Sequence, residues 1–118
     1  MKYLKIGITS FITISLGIVI LCSGSPGSAI ARTEDDGKAL YDANCAACHA
    51  KDGSGSTPAG KSMKLLDLGS EEVQKLTDDA MFDIIAKGKG KMSGYEKKLG
   101  HEKIHLVITY IRGMAKKS

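Results

Sequence analysis

The segment Cys45-Ala46-Ala47-Cys48-His49 constrains this chain more than any other. Two thiols three positions apart can each add to a vinyl group on one edge of a porphyrin. The histidine that follows is then close enough to offer a ring nitrogen to the iron. The C-x-x-C-H spacing is therefore the attachment site of a covalent haem c, with Cys45 and Cys48 as thioether anchors and His49 as the proximal axial ligand. A chain organised around such a site must wrap a large flat ring. It must also meet that ring in a compartment where haem is ligated to thiols.

The N-terminus agrees with that requirement. Lys2 and Lys5 precede an apolar run from Ile6 to Leu21, and a Ser/Gly/Pro stretch leads to the small residues of Ala29-Ile30-Ala31. A positive start, an apolar centre and a small-residue end make a secretory signal. Cleavage after Ala31 is expected, leaving one domain over residues 32–118 in a periplasmic or otherwise exported, soluble protein with no stable membrane insertion. Two rival readings stay open. The run of about 16 residues falls just short of the roughly 20 that span a bilayer, which leaves room for an uncleaved anchor. Cys22 is a candidate for lipidation, although bulky Leu21 precedes it where a small residue is wanted. Once the signal is gone, Cys45 and Cys48 are the cysteines that remain, and a single disulfide would explain neither their spacing nor His49.

Other metal chemistry fits less well. Cys45, Cys48, His101 and His105 mimic a two-Cys, two-His zinc pattern, but 52 residues separate the pairs and His49 is left without a role. A thioredoxin-like site would want a βαβ setting, and no strand-like alternation flanks the motif.

The 87 residues after the signal are marginal for an independent hydrophobic core, and Phe82 is their only phenylalanine, with no tryptophan. A buried porphyrin would supply the missing apolar bulk. The full-chain charge of +4 falls to about +2 without Lys2 and Lys5, and two haem propionates would cancel that remainder. No nucleic-acid partner is expected.

The remaining pattern is helices joined by glycine-rich loops. Thr33-Glu34-Asp35-Asp36 offers a cap and acidic groups to a helix that continues through Asn44 into the haem motif. Asp52 to Gly60 is expected as loop. Ser70 to Leu76 suggests a short capped helix, and Thr77-Asp78-Asp79 starts another that stops at Gly88. Ile104, Val107, Ile108 and Ile111 mark a closing helix from about His101 to Met114. No strands are expected. Between the last two helices, Gly88-Lys89-Gly90-Lys91-Met92-Ser93-Gly94-Tyr95 carries one methionine, 43 positions after His49. Met81 and Met114 fall on helix faces and Met63 fits a gap-filling role. A lone apolar Met92 in a Lys/Gly/Ser loop has no such face, and a soft thioether would make it the distal axial iron ligand. His101 and His105, one turn apart, are expected as solvated residues near a helix start, available as ligands only if Met92 is not one.

Taken together, Gly37-x-x-x-Tyr41, the C-x-x-C-H motif, Gly88-Lys89-Gly90-Lys91-Met92 and Val107-Ile108-Thr109-Tyr110-Ile111-Arg112 resemble a class I c-type cytochrome over nearly all of residues 34–116. The resemblance implies an all-α fold, three to five helices wrapped around one covalent haem. It implies that Gly37 and Tyr41 cross the closing helix near Val107 and Tyr110. It also implies that the Pro58 carbonyl accepts a bond from the His49 ring, and that Tyr95 packs in the haem pocket. Two positions depart from the family pattern: Ala50 stands where glycine is usual and Ser93 where proline is usual. Without that proline the ligand loop should be less rigid, with methionine lost at raised pH or temperature.

With both axial positions closed, the expected function is a non-enzymatic electron carrier between respiratory redox partners. Lys87, Lys89, Lys91, Lys97 and Lys98 surround the Met92 loop and form a candidate rim for docking acidic partner surfaces. The alternatives are a haem enzyme or gas sensor with displaceable Met92, and a cytochrome subunit of a larger respiratory complex.

Overall fold

The computed structural model describes residues 27–116. Most of the expected signal segment, including Cys22, lies outside the described residues. Within them the order is α1 Gly27–Asn44, α2 Ala46–His49, α3 Pro58–Met63, α4 Glu71–Gln74, α5 Asp78–Lys87, β1 Gly88–Lys89, β2 Met92–Ser93 and α6 Glu96–Gly113. The helices outnumber the expected three to five because α2 and α4 are single turns of four residues.

Three boundaries differ from expectation, each for a local reason. α1 starts at Gly27 rather than at the Thr33–Asp36 cap, because Ala29, Ala31 and Arg32 are strong helix formers directly upstream. Pro58, Ala59 and Gly60 were expected as loop but form the first turn of α3. Thr57 Oγ1 caps that turn by accepting the Gly60 N–H at 2.9 Å, and Pro58 sits where a missing N–H costs nothing. The stretch after Gly88 was expected to hold no strand, yet β1 and β2 pair antiparallel, Lys89 opposite Met92 and Gly88 opposite Ser93. Gly90, at φ 60°, stands first in the two-residue turn between them, where a tight hairpin favours glycine.

Elsewhere the capping signals hold. Ser70 Oγ accepts from Val73 N–H at the start of α4, and Thr77 Oγ1 accepts from Ala80 N–H at the start of α5. The closing helix begins earlier than His101, at Glu96, and is broken at Gly100 (φ 73°, ψ 170°).

The core lies where α6 packs between α1 and α5. Tyr41, Ile104, Val107 and Ile108 are its most buried large side chains, joined by Met81, Ile85 and Ile111. Gly37 sets the α1–α6 crossing: a Cβ there would overlap the Leu106 carbonyl oxygen and lie 3.1 Å from Tyr110 Cβ. One turn later Tyr41 packs on Tyr110 with ring centroids 5.3 Å apart. The crossing is the one the family resemblance implied. Arg112 then ties α6 to the α4–α5 link, donating to Asp78 Oδ1, Gln74 O and Leu76 O.

Candidate haem site

The motif residues occupy a break between two helices. α1 ends at Asn44, Cys45 is a turn, and α2 carries Cys48 and His49. Three successive carbonyls are then captured from different parts of the chain. Thr57 Oγ1 donates to Cys48 O at 2.6 Å, Gly55 N–H to His49 O at 2.8 Å, and Tyr41 Oη to Ala50 O at 2.7 Å. Burial raises the Tyr41 phenol far above its usual range, with a further contribution from Cys45, so it remains a proton donor. Ala50 adopts φ 65° and ψ 161°, a conformation left almost entirely to glycine, at the position where glycine was missed in the sequence. Gly60 brings α3 against this turn, since a Cβ there would lie 2.6 Å from Cys48 O and would overlap Gly55 O.

A cleft opens beside the motif in two joined chambers of about 470 Å³ and about 290 Å³. Cys45, His49 and Met92 line both chambers. Cys48, Met63 and Tyr95 face the larger one; the smaller is walled by Val73, Met81 and Ile85 of the core together with Leu66, Leu68 and Leu76. Leu66 and Leu76 are the large hydrophobic side chains left exposed among the described residues, and both border this cleft.

The donor set fits a covalently held haem. Both thiols are free, and burial, reinforced by Cys48, pushes the Cys45 thiol up to about 11, so it is neutral. Burial lowers the His49 imidazole, which favours the neutral form that ligates a metal. His49 Nδ1 is buried with no hydrogen-bond partner. The bond expected from that ring to the Pro58 carbonyl is therefore not made in this structure. The link that this stretch does make to the motif is the Thr57 hydroxyl donating to Cys48 O.

The other sequence-derived residues distribute as follows. Met92 reaches the cleft on β2, and Tyr95 joins it there, its hydroxyl donating to Asn44 O at 3.0 Å. Met63, assigned a gap-filling role, is a second thioether in the larger chamber. Its signal was available: a helix started by Thr57-Pro58 carries Met63 back toward the motif. His101 and His105 do not line the cleft. His105 stacks on Phe82 at a centroid distance of 5.1 Å and His101 lies tilted against it at 4.6 Å, and His105 is half-buried rather than solvated. Of the lysine rim, Lys89 and Lys91 edge the larger chamber and Lys97 and Lys98 are exposed, while Lys87 is paired with Asp83 at 2.8 Å. No helix among the described residues is long and apolar enough to cross a membrane.

Residues 32–111 match the family model described as cytochrome c oxidase, cbb3-type, subunit III. Cytochrome c6 of Nostoc sp. strain PCC 7120 is 30% identical over 105 residues, spanning 89% of this chain and 92% of that protein. Cytochrome c6 of Microcystis aeruginosa is 32% identical, over 70% of this chain and 98% of that one. Among solved structures, the KustC0563 c-type cytochrome superposes with a TM-score of 0.64 at 29% identity, covering 69% of this chain and 99% of that one. The helical fold, the C-x-x-C-H turn beside a ring-sized cleft and these likenesses converge: the chain belongs to the cytochrome c family, as a small class I c-type cytochrome whose cofactor is a covalent haem c with its iron.

Proposed function

We propose that this cytochrome is a periplasmic single-electron carrier in which His49 and Met92 close both axial positions of the iron. Bound haem c supplies a one-electron ferrous/ferric couple. The chain does the rest. Cys45 and Cys48 hold the ring covalently, His49 presents a neutral imidazole, and the apolar wall from Leu66 to Ile85 excludes water from one face. The observation that carries the proposal is that His49 and Met92 line the same two chambers as the anchoring Cys45. A soft neutral thioether there favours the reduced iron and raises the potential relative to a second histidine. With His49 and Met92 both holding the iron, no position would be left for a substrate, and the bound haem would exchange only electrons.

Lys89 and Lys91 line the larger chamber and are exposed, so a partner with an acidic surface would be steered to the opening of the cleft that would hold the haem. Lys97 and Lys98 extend that field, whereas the Asp83 pairing discounts Lys87.

The test is an optical and potentiometric comparison of the haem-loaded protein with its M92A and M63A variants. The expected result is a red-region sulfur-to-iron band in the wild type and M63A, lost in M92A together with a drop in potential. Loss in M63A but not M92A would move the ligand to Met63. Rapid carbon monoxide binding by the wild-type ferrous protein would instead favour a gas sensor or haem enzyme. The description of the matched family favours one second reading, a subunit docked in a larger respiratory complex. Stoichiometric co-purification with a membrane complex would replace the free carrier by that subunit.

A further inference from the structure

The hairpin that bears Met92 has few attachments to the rest of the molecule. Among the described residues, no side chain from Gly88 to Gly94 hydrogen-bonds another element. Lys89, Gly90, Lys91, Ser93 and Gly94 are exposed. Ser93 also leaves the main chain after the methionine free of the constraint a proline ring would impose.

The attachment comes at Tyr95, and at both of its ends. Its backbone N–H donates to Ile85 O at 2.8 Å, fastening the hairpin base to α5. Its hydroxyl crosses the cleft to Asn44 O, 51 positions earlier in the chain and directly before Cys45. That carbonyl has a reason to want a donor. In an uninterrupted helix it would take the Cys48 N–H, but that N–H turns to Cys45 O at 3.1 Å because α1 breaks at the motif. The helix end exposed by the haem motif is thus satisfied by the ligand loop.

We infer that the Tyr95 hydroxyl is a positioning residue for Met92: it latches the distal ligand hairpin to the end of α1 that carries the haem anchor. The inference rests on Met92 being the sixth ligand. Loss of the hydroxyl leaves the ring, its packing and the backbone bond to Ile85 in place, so the hairpin should open more often while the helices stay folded.

The experiment uses the haem-loaded Y95F variant beside wild type and M92A. Removing one such bond should raise the open population about fivefold. Carbon monoxide association with the ferrous protein should quicken by about the same factor. On warming, the red-region band of Y95F should disappear at a lower temperature than in wild type, and ahead of its own far-ultraviolet helix signal. A Y95F protein with wild-type carbon monoxide kinetics and wild-type band melting overturns the latch. So does a band that shifts only in step with global unfolding, because Tyr95 would then serve general stability. A wild type lacking the band and matching M92A removes the Met92 reading beneath the latch, a result readable before Y95F is measured.

Discussion

The two walls of the haem cleft are built to different standards. Around His49, three consecutive carbonyls are held by Thr57, Gly55 and Tyr41, and Gly60 packs its main chain against the turn. Around Met92, two-residue strands and an exposed turn are fastened through Tyr95. Three bonds from two segments, α1 and the loop before α3, over-determine the first wall, and it can hold Ala50 in a strained conformation. The second depends on few contacts and belongs to the low-stability end of the molecule. Opening at the iron should therefore begin on the methionine side.

The comparison breaks most visibly at glycine. G60A places a methyl group against Gly55 O and Cys48 O, both main-chain atoms that cannot swing aside. It should cost about 3 kcal/mol and depress the yield of haem-loaded protein, read from pyridine haemochrome absorbance and the thermal midpoint. G88A meets the Met92 carbonyl at φ 84° and should cost about 2 kcal/mol, but on the weaker wall. Its signature should be a lost red-region band with the helix signal retained. If G88A instead abolished haem loading, the two walls would not be energetically distinct.

Two further substitutions sharpen the contrast. A50G releases the strain after His49, worth about 1–3 kcal/mol, at a cost in unfolded-chain entropy of about 0.5–1 kcal/mol. A net gain of about 1 kcal/mol would raise the thermal midpoint by about 4–8 °C. Y41F removes the hydroxyl from Ala50 O and should lose about 1 kcal/mol, with the methionine band unaffected at room temperature. The smallest structural effect is expected on the rim: K89E/K91E should leave the midpoint unchanged yet slow electron transfer to an acidic partner a few-fold at low salt, converging with wild type at high salt. An unchanged rate at low salt would remove docking at this mouth.

Much of this was readable along the chain. Ser70 and Thr77 announce their helices because a hydroxyl cap acts on an N–H three residues away, and the Ile104 to Ile111 period declares its buried face. The Gly37/Tyr41 crossing with the closing helix came from the family resemblance, and the structure supplies its reason: a Cβ at Gly37 would overlap the Leu106 carbonyl oxygen. What escaped was either hidden by composition or settled at a distance. Thr57-Pro58 looked like loop among glycines, although a cap followed by proline is a helix start. Two-residue strands lie below the length at which alternation can be recognised.

The sequence by itself determined the cofactor chemistry and the helical class, and it supplies His49 as the proposed proximal ligand, since thiol spacing, an adjacent imidazole and apolar periodicity are all short-range. Only the tertiary structure decided that Thr57 holds the Cys48 carbonyl, that Met63 shares the cleft with Met92, and that Tyr95 reaches Asn44. Those outcomes depend on where α1 breaks and where α3 and the hairpin return to it. Such meetings join residues far apart in the chain, and their geometry is set by the packing of the whole domain.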